Sequence, residues 1–357
     1  ALAAVHSFCP VPVTGGPEKH RLHFKPGEIV TNGAFKLGDW RLNDHIRLTK
    51  NPHYWDAASV PLNTVDVLPV SNASTALNLF LSGDVDLMLD KGLIPPNLGD
   101  KLRQQPFFHS KEFLATWFLR YNATRKPFND ARVRRAFTLA LDKERIVTKI
   151  TQYGEPVAYS LVPPGAGENY QPPPGLKQDI TEARRLLAEA GYPDGAGFPT
   201  VGYLFQNSNL ESNIAGEVQA MWKRNLNVNV SLPKQEYKVF LNSQKNLDYD
   251  LCRSTWIGDY NDPNTFLDMF TTHSGNNRTG WASAEYDRLI AAAASEPDTV
   301  RRHDIFRQAE TLLLDKDCVI TPVYHMVAPQ FFREDQLGGV EANLTDEHPL
   351  RLIFRRR

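Results

Sequence analysis

Three side chains with complementary chemistry lie at intervals of three residues: Arg253, Trp256 and Asp259. They lie at the end of a predicted strand, and Gly258 opens a turn directly after it. A guanidinium, an aromatic face and a carboxylate around one strand end could hold a zwitterion, because ligands of open α/β sheets bind where strands end. Structural alternatives stay open: Arg253 can pair with Asp250 or cap a loop, and Trp256 can belong to the core.

The sequence carries no catalytic signature. A GxSxG elbow, a GxxxxGK[ST] loop, a GxGxxG turn and an HExxH helix are all missing from it. His20 and His23 lie three residues apart without a complete set of metal ligands, so structural histidines are favoured. We therefore predict no enzymatic activity and no cofactor. A peptidase on an α/β frame is the alternative from another class, and it would need a nucleophile with a positioned base.

Length and composition are those of an ordinary globular protein. The chain has 357 residues, of which 41% are hydrophobic and 23% charged, so two or three domains are expected. The 40 basic and 41 acidic residues give a net charge of -1. This balance predicts no nucleic-acid partner and no bulk attraction to an anionic membrane.

The residues alone do not decide the cellular compartment of the protein. No apolar run approaches the roughly 20 residues that span a bilayer. The start, residues 1–4, has neither the basic nor the apolar region of a signal peptide, so a cytoplasmic protein and a trimmed exported protein are both possible. The three cysteines, Cys9, Cys252 and Cys318, permit at most one disulfide and do not decide between these compartments.

Hydrophobic periodicity predicts both strands and helices. The expected elements are a hairpin of 34–42 and 45–49 across Asn43-Asp44, strands at 63–70 and 85–89, a helix at 74–82 ended by Gly83, one helix at 130–150 capped by Asp130, a loop at 160–178, a helix at 181–190, strands at 248–256 and 319–326, and helices at 286–294 and 302–314. Between 201 and 232, a strand, a helix and a second strand have the length of a βαβ unit, which implies parallel pairing. The predicted fold class is α/β, with enough apolar residues for two cores.

Five segments occur together in an order typical of one family. They are 31–40 (TNGAFKLGDW), 50–55 (KNPHYW), 126–142 (beginning KPFND), 186–192 (LLAEAGY) and 256–266 (WIGDYNDPNTF). On these segments the chain resembles the oligopeptide- and dipeptide-binding proteins of bacterial ABC importers, which form family 5 of the solute-binding proteins. The resemblance covers almost the whole chain.

The resemblance implies a two-lobe α/β fold of the periplasmic-binding-protein type (class II, large cluster C). Residues 1–114 and 327–357 would form lobe I, and residues 115–326 would form lobe II. The hinge would lie near 113–117 and 325–329. In the family, a stretch that supplies the first strand of lobe I and an extra domain precedes the first matching segment, and this chain starts past it. We therefore expect a fragment, a shortened homologue or one piece of a nicked protein, with the missing N-terminal piece as a partner.

The function that the resemblance implies is capture of a short peptide or peptide-like ligand for the permease of an ABC transporter, in the periplasm or on a lipid anchor. The peptide would lie extended between the lobes and pair with strand edges. Asp259 would hold its α-ammonium, the main chain of Thr255 and Ile257 would align its first residues, and Trp256 would wall the slot. Arg253 matches a basic residue available to the ligand carboxylate. The other ligand contacts expected from the resemblance are Tyr237, Tyr260, Arg120 and Phe118.

The chain departs from the family at several charged positions. Thr151, Glu211 and Gln244 stand where well-known oligopeptide binders carry basic side chains for peptides of different lengths. Broad length tolerance is therefore not expected: either one short length is preferred, or the ligand is glutathione, a murein peptide, haem, a metal chelate or another small solute. Arg120 stands where those proteins carry an acid, so it would favour an acidic ligand side chain or be solvated or paired internally.

Overall fold

The computed structural model of the chain describes residues 26–27, 29–167, 169–341 and 343–356. Three side chains of the sequence analysis lie outside these residues: Cys9, His20 and His23. The chain divides into two compact units. Unit 1 holds the described residues up to Lys111 and those from Ala328 onward, and unit 2 is Glu112–Val327. The hinge proposed near 113–117 and 325–329 stays a prediction.

Helices and strands follow one another in this order: β1 (Phe35–Arg41), β2 (His45–Lys50), β3 (Thr64–Val67), α1 (Ala73–Ser82), α2 (Gly99–Leu102), β4 (Phe108–Tyr121), α3 (Ala131–Leu139), α4 (Lys143–Ile146), α5 (Ile180–Glu189), β5 (Val201–Gln206), α6 (Asn209–Leu226), β6 (Val230–Ser231), β7 (Lys234–Gln235), α7 (Tyr237–Lys245), β8 (Leu251–Ile257), α8 (Asn264–Leu267), α9 (Ala284–Ser295), α10 (Thr299–Thr311), β9 (Ile320–Phe331), β10 (Leu337–Gly338) and β11 (Phe354–Arg355). One π-helical turn follows α4 (Val147–Thr151) and another follows α10 (Leu312–Lys316). Most predicted elements are confirmed, with boundaries shifted by a few residues.

Unit 1 contains a three-stranded sheet, β1-β2-β3, and an aromatic cluster. The predicted hairpin is confirmed: β1 and β2 pair antiparallel, and Asn43 takes the left-handed conformation (φ 61°) in the connecting turn. The side chain of Phe80, on α1, packs against Phe107 and Phe331, with ring centroids 5.2 and 5.7 Å away. These rings form an apolar centre for the unit.

The strand predicted at 85–89 is wrong. The segment makes a single bridge, between Met88 and Phe331, instead of a ladder. The alternation in the sequence has another cause, because Leu87 and Leu89 pack against the apolar cluster that includes Phe332. Alternation of apolar and acidic residues therefore did not mark a strand here, since Met88, between Leu87 and Leu89, is buried as well.

Unit 2 is built on a sheet with the strand order β6-β5-β8-β4-β9, and β7 pairs with β5. The βαβ unit is confirmed, since β5 and β6 are parallel, with Val201 opposite Val230, and α6 connects them. The largest core cluster includes Phe137 of α3 and Trp222 of α6, whose ring centroids lie 4.9 Å apart. The Trp222 indole N–H also donates to the Phe137 carbonyl at 2.9 Å. Buried aromatic contacts thus fix the helices that cover this sheet.

The single helix predicted at 130–150 is two helices. Asp130 caps α3, as predicted, by accepting from the backbone N–H of Arg132 at 2.8 Å. Asp142 then caps α4 by accepting from the N–H of Arg145 at 2.9 Å. Aspartate is a strong N-cap and a poor residue inside a helix, so Asp142 divides a segment whose apolar stripe is continuous.

Two buried ionisable groups of unit 2 have strongly shifted pKa values. Glu310, on α10, is fully buried, and burial raises the pKa of its carboxyl to about 7. Burial lowers the pKa of His325, on β9, to about 3. The His325 Nδ1 lies 2.9 Å from the hydroxyl of Thr116. Each group therefore prefers its neutral form in the folded protein.

We expect these two groups to give stability opposite pH slopes. Between pH 4.5 and 7 the folded state holds the Glu310 proton more tightly than the unfolded chain, so stability falls as pH rises. Between pH 3 and 6.5 the unfolded chain protonates His325 more readily, so stability rises with pH. In the shared window the slopes oppose each other, each at no more than about 1.4 kcal/mol per pH unit.

Urea denaturation between these limits checks this expectation. Relative to wild type, Glu310→Gln should shift the slope of unfolding free energy against pH upward, and His325→Gln should shift it downward. If both variants keep the wild-type slope, the two groups do not titrate as the burial implies.

Candidate ligand-binding site

The carboxyl half of β8 has a partner strand on one side only. On that side β8 pairs antiparallel with β4 along its whole length, up to Ile257 opposite Ala115. On the other side, β5 pairs only with Leu251 and Cys252. Among the described residues, no strand continues along this second side beyond Cys252. The sheet therefore offers a short open edge inside unit 2.

The hydrogen-bond pattern shows which main-chain groups face that edge. The Gly258 N–H donates to the Leu114 carbonyl at 2.7 Å, so these residues form a hydrogen-bonded pair of the β4–β8 ladder. Antiparallel pairs alternate, so the main-chain groups of Arg253, Thr255 and Ile257 point away from β4. The Arg253 carbonyl already accepts from the side-chain amide of Gln244 at 2.8 Å. Thr255 and Ile257 thus supply the open main-chain donors and acceptors.

A tight turn carries Asp259 just beyond this edge. Gly258 is required by close packing, because a Cβ there would lie 2.7 Å from the side chain of Leu114. The buried residue Thr265 holds the turn together: its hydroxyl accepts from the Asp259 N–H at 3.0 Å, and its carbonyl accepts from the Trp256 indole at 2.6 Å. The Asp259 side chain is exposed. Backbone contacts therefore position Asp259 and leave its carboxylate free to bind a ligand.

The turn carries negative charge that no described cation neutralises. Asp262 is paired with Arg302, through contacts of 2.7 and 2.9 Å. Within the described parts of the chain, no ion pair involves Asp259 or Asp268. Burial raises the pKa of Asp268, and the charge of Asp259 raises it further. Two carboxylates close enough to interact and without a counter-ion suit a cationic ligand group.

Tyr260 and Asn264 belong to the same turn. The Asn264 amide donates to the Tyr260 hydroxyl at 3.0 Å and to the Asp268 carboxylate at 3.2 Å. Burial raises the pKa of Tyr260, so its hydroxyl stays neutral and remains available as a donor. The structure thus brings together Tyr260, the strand end and Asp259, as the sequence analysis expected.

Arg253 does not share a face with Trp256. Successive residues of a strand point to opposite faces, so residues three apart lie on different sides of the sheet. Arg253 pairs with the buried Glu211 of α6, at 2.8 and 3.0 Å, and not with Asp250. The Asp250 carboxylate instead accepts from the Gly202 N–H at 2.8 Å. Alternation along the strand therefore separates the Arg253 side chain from that of Trp256, and contact of Arg253 with a ligand stays a prediction.

Three other expected ligand contacts lie apart from the turn. Phe118 is fully buried, and its ring lies 5.5 Å from the guanidinium carbon of Arg120. Arg120 is itself buried and donates to the Asn276 carbonyl at 3.3 Å, while burial lowers its pKa. Tyr237, at the start of α7, is exposed. The structure does not bring these side chains to Asp259, and their contact with a ligand remains a prediction.

The polar residues at the departing positions make internal hydrogen bonds. Thr151 donates to Glu155 at 2.8 Å, and Gln244 bonds to the main chain of Arg253. Glu211 accepts from Arg253 and also from the indole N–H of Trp117, at 3.2 Å. Sequence reasoning missed the Glu211–Arg253 pair because its members are 42 residues apart and no local pattern connects them.

The described residues form no metal site, no membrane-spanning helix and no disulfide. Across the described ranges, no cluster of three or more histidine, cysteine or acidic side chains could hold a metal ion. None of the described helices is long and apolar enough to cross a bilayer. Cys252 and Cys318 are buried free thiols. Cys252 lies in β8 and Cys318 just before β9, and β4 separates these two strands in the sheet.

The known proteins that resemble this chain include several bacterial peptide-binding proteins. The periplasmic oligopeptide-binding protein OppA of Salmonella typhimurium is 37% identical over 98% of this chain and 64% of its own length. The Escherichia coli murein tripeptide binding protein MppA superposes with a TM-score of 0.86 at 29% identity, covering 100% of this chain and 70% of that one. An oligopeptide-binding protein of Borrelia burgdorferi gives a TM-score of 0.84 at 30% identity, covering 95% and 67%.

The matches extend over nearly all of this chain but not over the whole of its relatives. The chain spans about two thirds of their length, 64% for the Salmonella protein. Residues 2–278 match the middle part of the bacterial extracellular solute-binding proteins, family 5. On this match, and on 37% identity over 355 residues, the chain belongs to family 5 of the bacterial extracellular solute-binding proteins.

Proposed function

We propose that this protein is the extracytoplasmic substrate-binding component of a bacterial ABC importer and that its ligand is a short peptide. It would deliver the peptide to a membrane permease without chemical change. The observation that carries the proposal is the open edge at Thr255 and Ile257, followed directly by the carboxylate of Asp259, which has no ion-pair partner among the residues that the structure describes. Relatives named for oligopeptide and murein tripeptide binding support the same ligand class.

The edge suits main-chain recognition. An extended peptide can add to an open strand through its own N–H and C=O groups, which every sequence provides. A peptide running antiparallel to β8 would place its first residue beside Ile257 and its α-ammonium beside Asp259. Main-chain bonds would then give affinity, and the ion pair would fix the register. Trp256 and Tyr260 would flank the amino end.

Isothermal calorimetry with matched peptides tests this proposal. We expect a tripeptide with a free amino end to bind at least about 50-fold more tightly than its N-acetylated form, because acetylation removes the charge and two donors. Equal affinity for both forms would overturn the role of the amino end. If no peptide of two to five residues binds, the assignment of a peptide ligand is wrong.

A second candidate keeps the fold and changes the ligand. The neutralisation of Arg253 by Glu211 favours it, because the one basic side chain that remains from the family's carboxylate-binding positions is already paired. The ligand would then be a small solute such as glutathione, a murein peptide, haem or a metal chelate. Native mass spectrometry of freshly purified protein distinguishes the two candidates by the mass of the molecule that co-purifies.

The finer localisation belongs to the same proposal. An importer component of this kind works in the periplasm or on a lipid anchor outside the membrane, where its permease partner can meet it. Fractionation of the natural host, with detection in the osmotic-shock fluid, would support a periplasmic protein. Recovery only with membranes, released by detergent, would support the anchored form.

A further inference from the structure

The Glu211–Arg253 pair is strongly asymmetric. Three N–H donors converge on one carboxylate oxygen, Oε1 of Glu211: Nε and Nη2 of Arg253, at 3.0 and 2.8 Å, and the indole of Trp117, at 3.2 Å. The second oxygen, Oε2, is buried and has no hydrogen-bond partner within the described residues. A buried carboxylate oxygen without a donor is a costly arrangement, and native proteins keep few of them.

The pair lies level with the far end of the open edge. The main chain of Arg253 faces the same side as Thr255 and Ile257, and Ile257 lies four positions further along the strand. At a rise of about 3.4 Å per residue this distance is roughly 14 Å, which is the reach of an extended peptide of about four residues. The side chain of Gln244 occupies the Arg253 carbonyl and thereby ends the edge at that point.

We infer that Glu211 determines specificity at the carboxyl end of the ligand. It neutralises Arg253 and leaves Oε2 as an acceptor, so the site favours a hydrogen-bond donor at this level and disfavours a free α-carboxylate. The preferred ligands are peptides whose chain continues past the fourth residue, or tetrapeptides with a blocked, carboxamide-like end. The position of the ligand end in this inference rests on the proposed function.

The electrostatic reason is the burial of the pair. The side chains of Arg253 and Glu211 are 14% and 5% exposed, so charges near them are weakly screened. A ligand carboxylate arriving there would meet the like charge of Glu211 beside the opposite charge of Arg253, so the pair as a whole would attract it little. A carboxamide N–H brings no charge and can donate to Oε2, which removes the unsatisfied acceptor.

The test compares one tetrapeptide as free acid and as carboxamide, by calorimetry at neutral pH and constant salt. Wild-type protein should bind the amide at least about tenfold more tightly than the acid. Glu211→Gln leaves Arg253 without a counter-ion, so the acid should gain affinity and the ratio should invert. Glu217→Gln is the matched control, since Glu217 lies on the same helix but pairs with Arg145 and should leave the ratio unchanged.

Two results would overturn the inference: an amide-to-acid ratio near one in wild type, or a ratio that Glu211→Gln does not change. The wild-type ratio needs no variant, so a folding defect in Glu211→Gln cannot obscure it. Loss of the difference between free and acetylated amino ends would instead count against the proposed function, because that difference reports on Asp259.

Acetate serves as a probe that does not depend on peptide binding. In thermal shift measurements, acetate should stabilise Glu211→Gln, where Arg253 is unpaired, and should not stabilise wild type beyond the effect of sodium chloride at equal ionic strength. If no peptide binds but this contrast holds, the proposed function fails and the role of Glu211 stands. Equal stabilisation of both proteins by acetate, or of neither, would exclude the role of Glu211.

Discussion

Replacing Asp259 by asparagine should weaken the binding of peptides with a free amino end by about 100-fold. This equals about 2.7 kcal/mol and lies within the range for a buried hydrogen-bonded charge pair, which Asp259 would form once a bound ligand covers it. The fold should be unaffected, because Asp259 is exposed and its structural contact is made by its backbone N–H, to Thr265. Calorimetry with a tripeptide measures the effect directly.

A thermodynamic cycle separates the ion pair from general damage to the site. If the Asp259 carboxylate and the ligand ammonium bind each other, Asp259→Asn should cost little further affinity for the N-acetylated peptide. Asp304→Asn is the matched control: this aspartate of α10 is half-exposed and pairs with Arg307 three residues later. A 100-fold loss that is equal for both peptide forms would show that Asp259 acts on the site and not on the amino end.

Local sequence patterns predicted the helices, strands and turns of this protein better than the tertiary contacts between them. The turn at Asn43, the βαβ unit between 201 and 232, and the cap at Asp130 each follow from a few adjacent residues whose conformational preference is strong. The break before α4 was missed although Asp142 signals it. A continuous apolar stripe outweighed a capping residue in the prediction, whereas in the folded chain both are satisfied by two helices.

The site shows where sequence reasoning stops. Asp259 could be placed at a strand end from its neighbours, because the glycine turn and the preceding strand are local features. The open edge could not be predicted from the sequence, since it depends on how far β5 runs beside β8. The spacing of Arg253 and Trp256 suggested a shared slot, but spacing of three is a helical neighbour relation, and in a strand it separates the two faces.

The pairing of Arg253 shows the same limit for charges. Its partner Glu211 belongs to the first turn of α6, and only the tertiary structure brings that helix end to β8. Composition counts both residues as charges that cancel in the total, and no motif connects them. The pair nevertheless changes the chemistry offered to a ligand, because a guanidinium that would attract a carboxylate is already neutralised.

Replacing Glu310 by alanine should destabilise unit 2 by about 3–5 kcal/mol, the largest stability effect that we expect from a single substitution here. The Glu310 carboxyl group is fully buried, and three hydrogen bonds connect it to one long loop. They come from the N–H of Leu161 at 2.7 Å, the N–H of Val162 at 2.9 Å and the Tyr170 hydroxyl at 2.7 Å. Alanine would leave these donors unpaired and open a cavity beneath the loop.

The same substitution should loosen the loop before the unit unfolds. The proline-rich segment 160–178 cannot form a regular ladder of its own, so its main-chain donors depend on side chains such as Glu310. Amide hydrogen exchange at Leu161 and Val162 should therefore accelerate in Glu310→Ala, while Gln308→Ala, at an exposed position of the same helix, should leave it unchanged.

Glu310→Gln keeps an acceptor and nearly the same shape, so it should lose clearly less stability than Glu310→Ala. Glutamine can still accept from both backbone N–H groups through its carbonyl oxygen, while its amide can donate to the Tyr170 hydroxyl. Equal losses of stability for both variants, measured by urea denaturation, would contradict this expectation, because they would show that the retained acceptor and shape do not preserve the contacts with the loop. Retention of slow exchange at Leu161 in Glu310→Ala would exclude the carboxylate as the anchor of the loop.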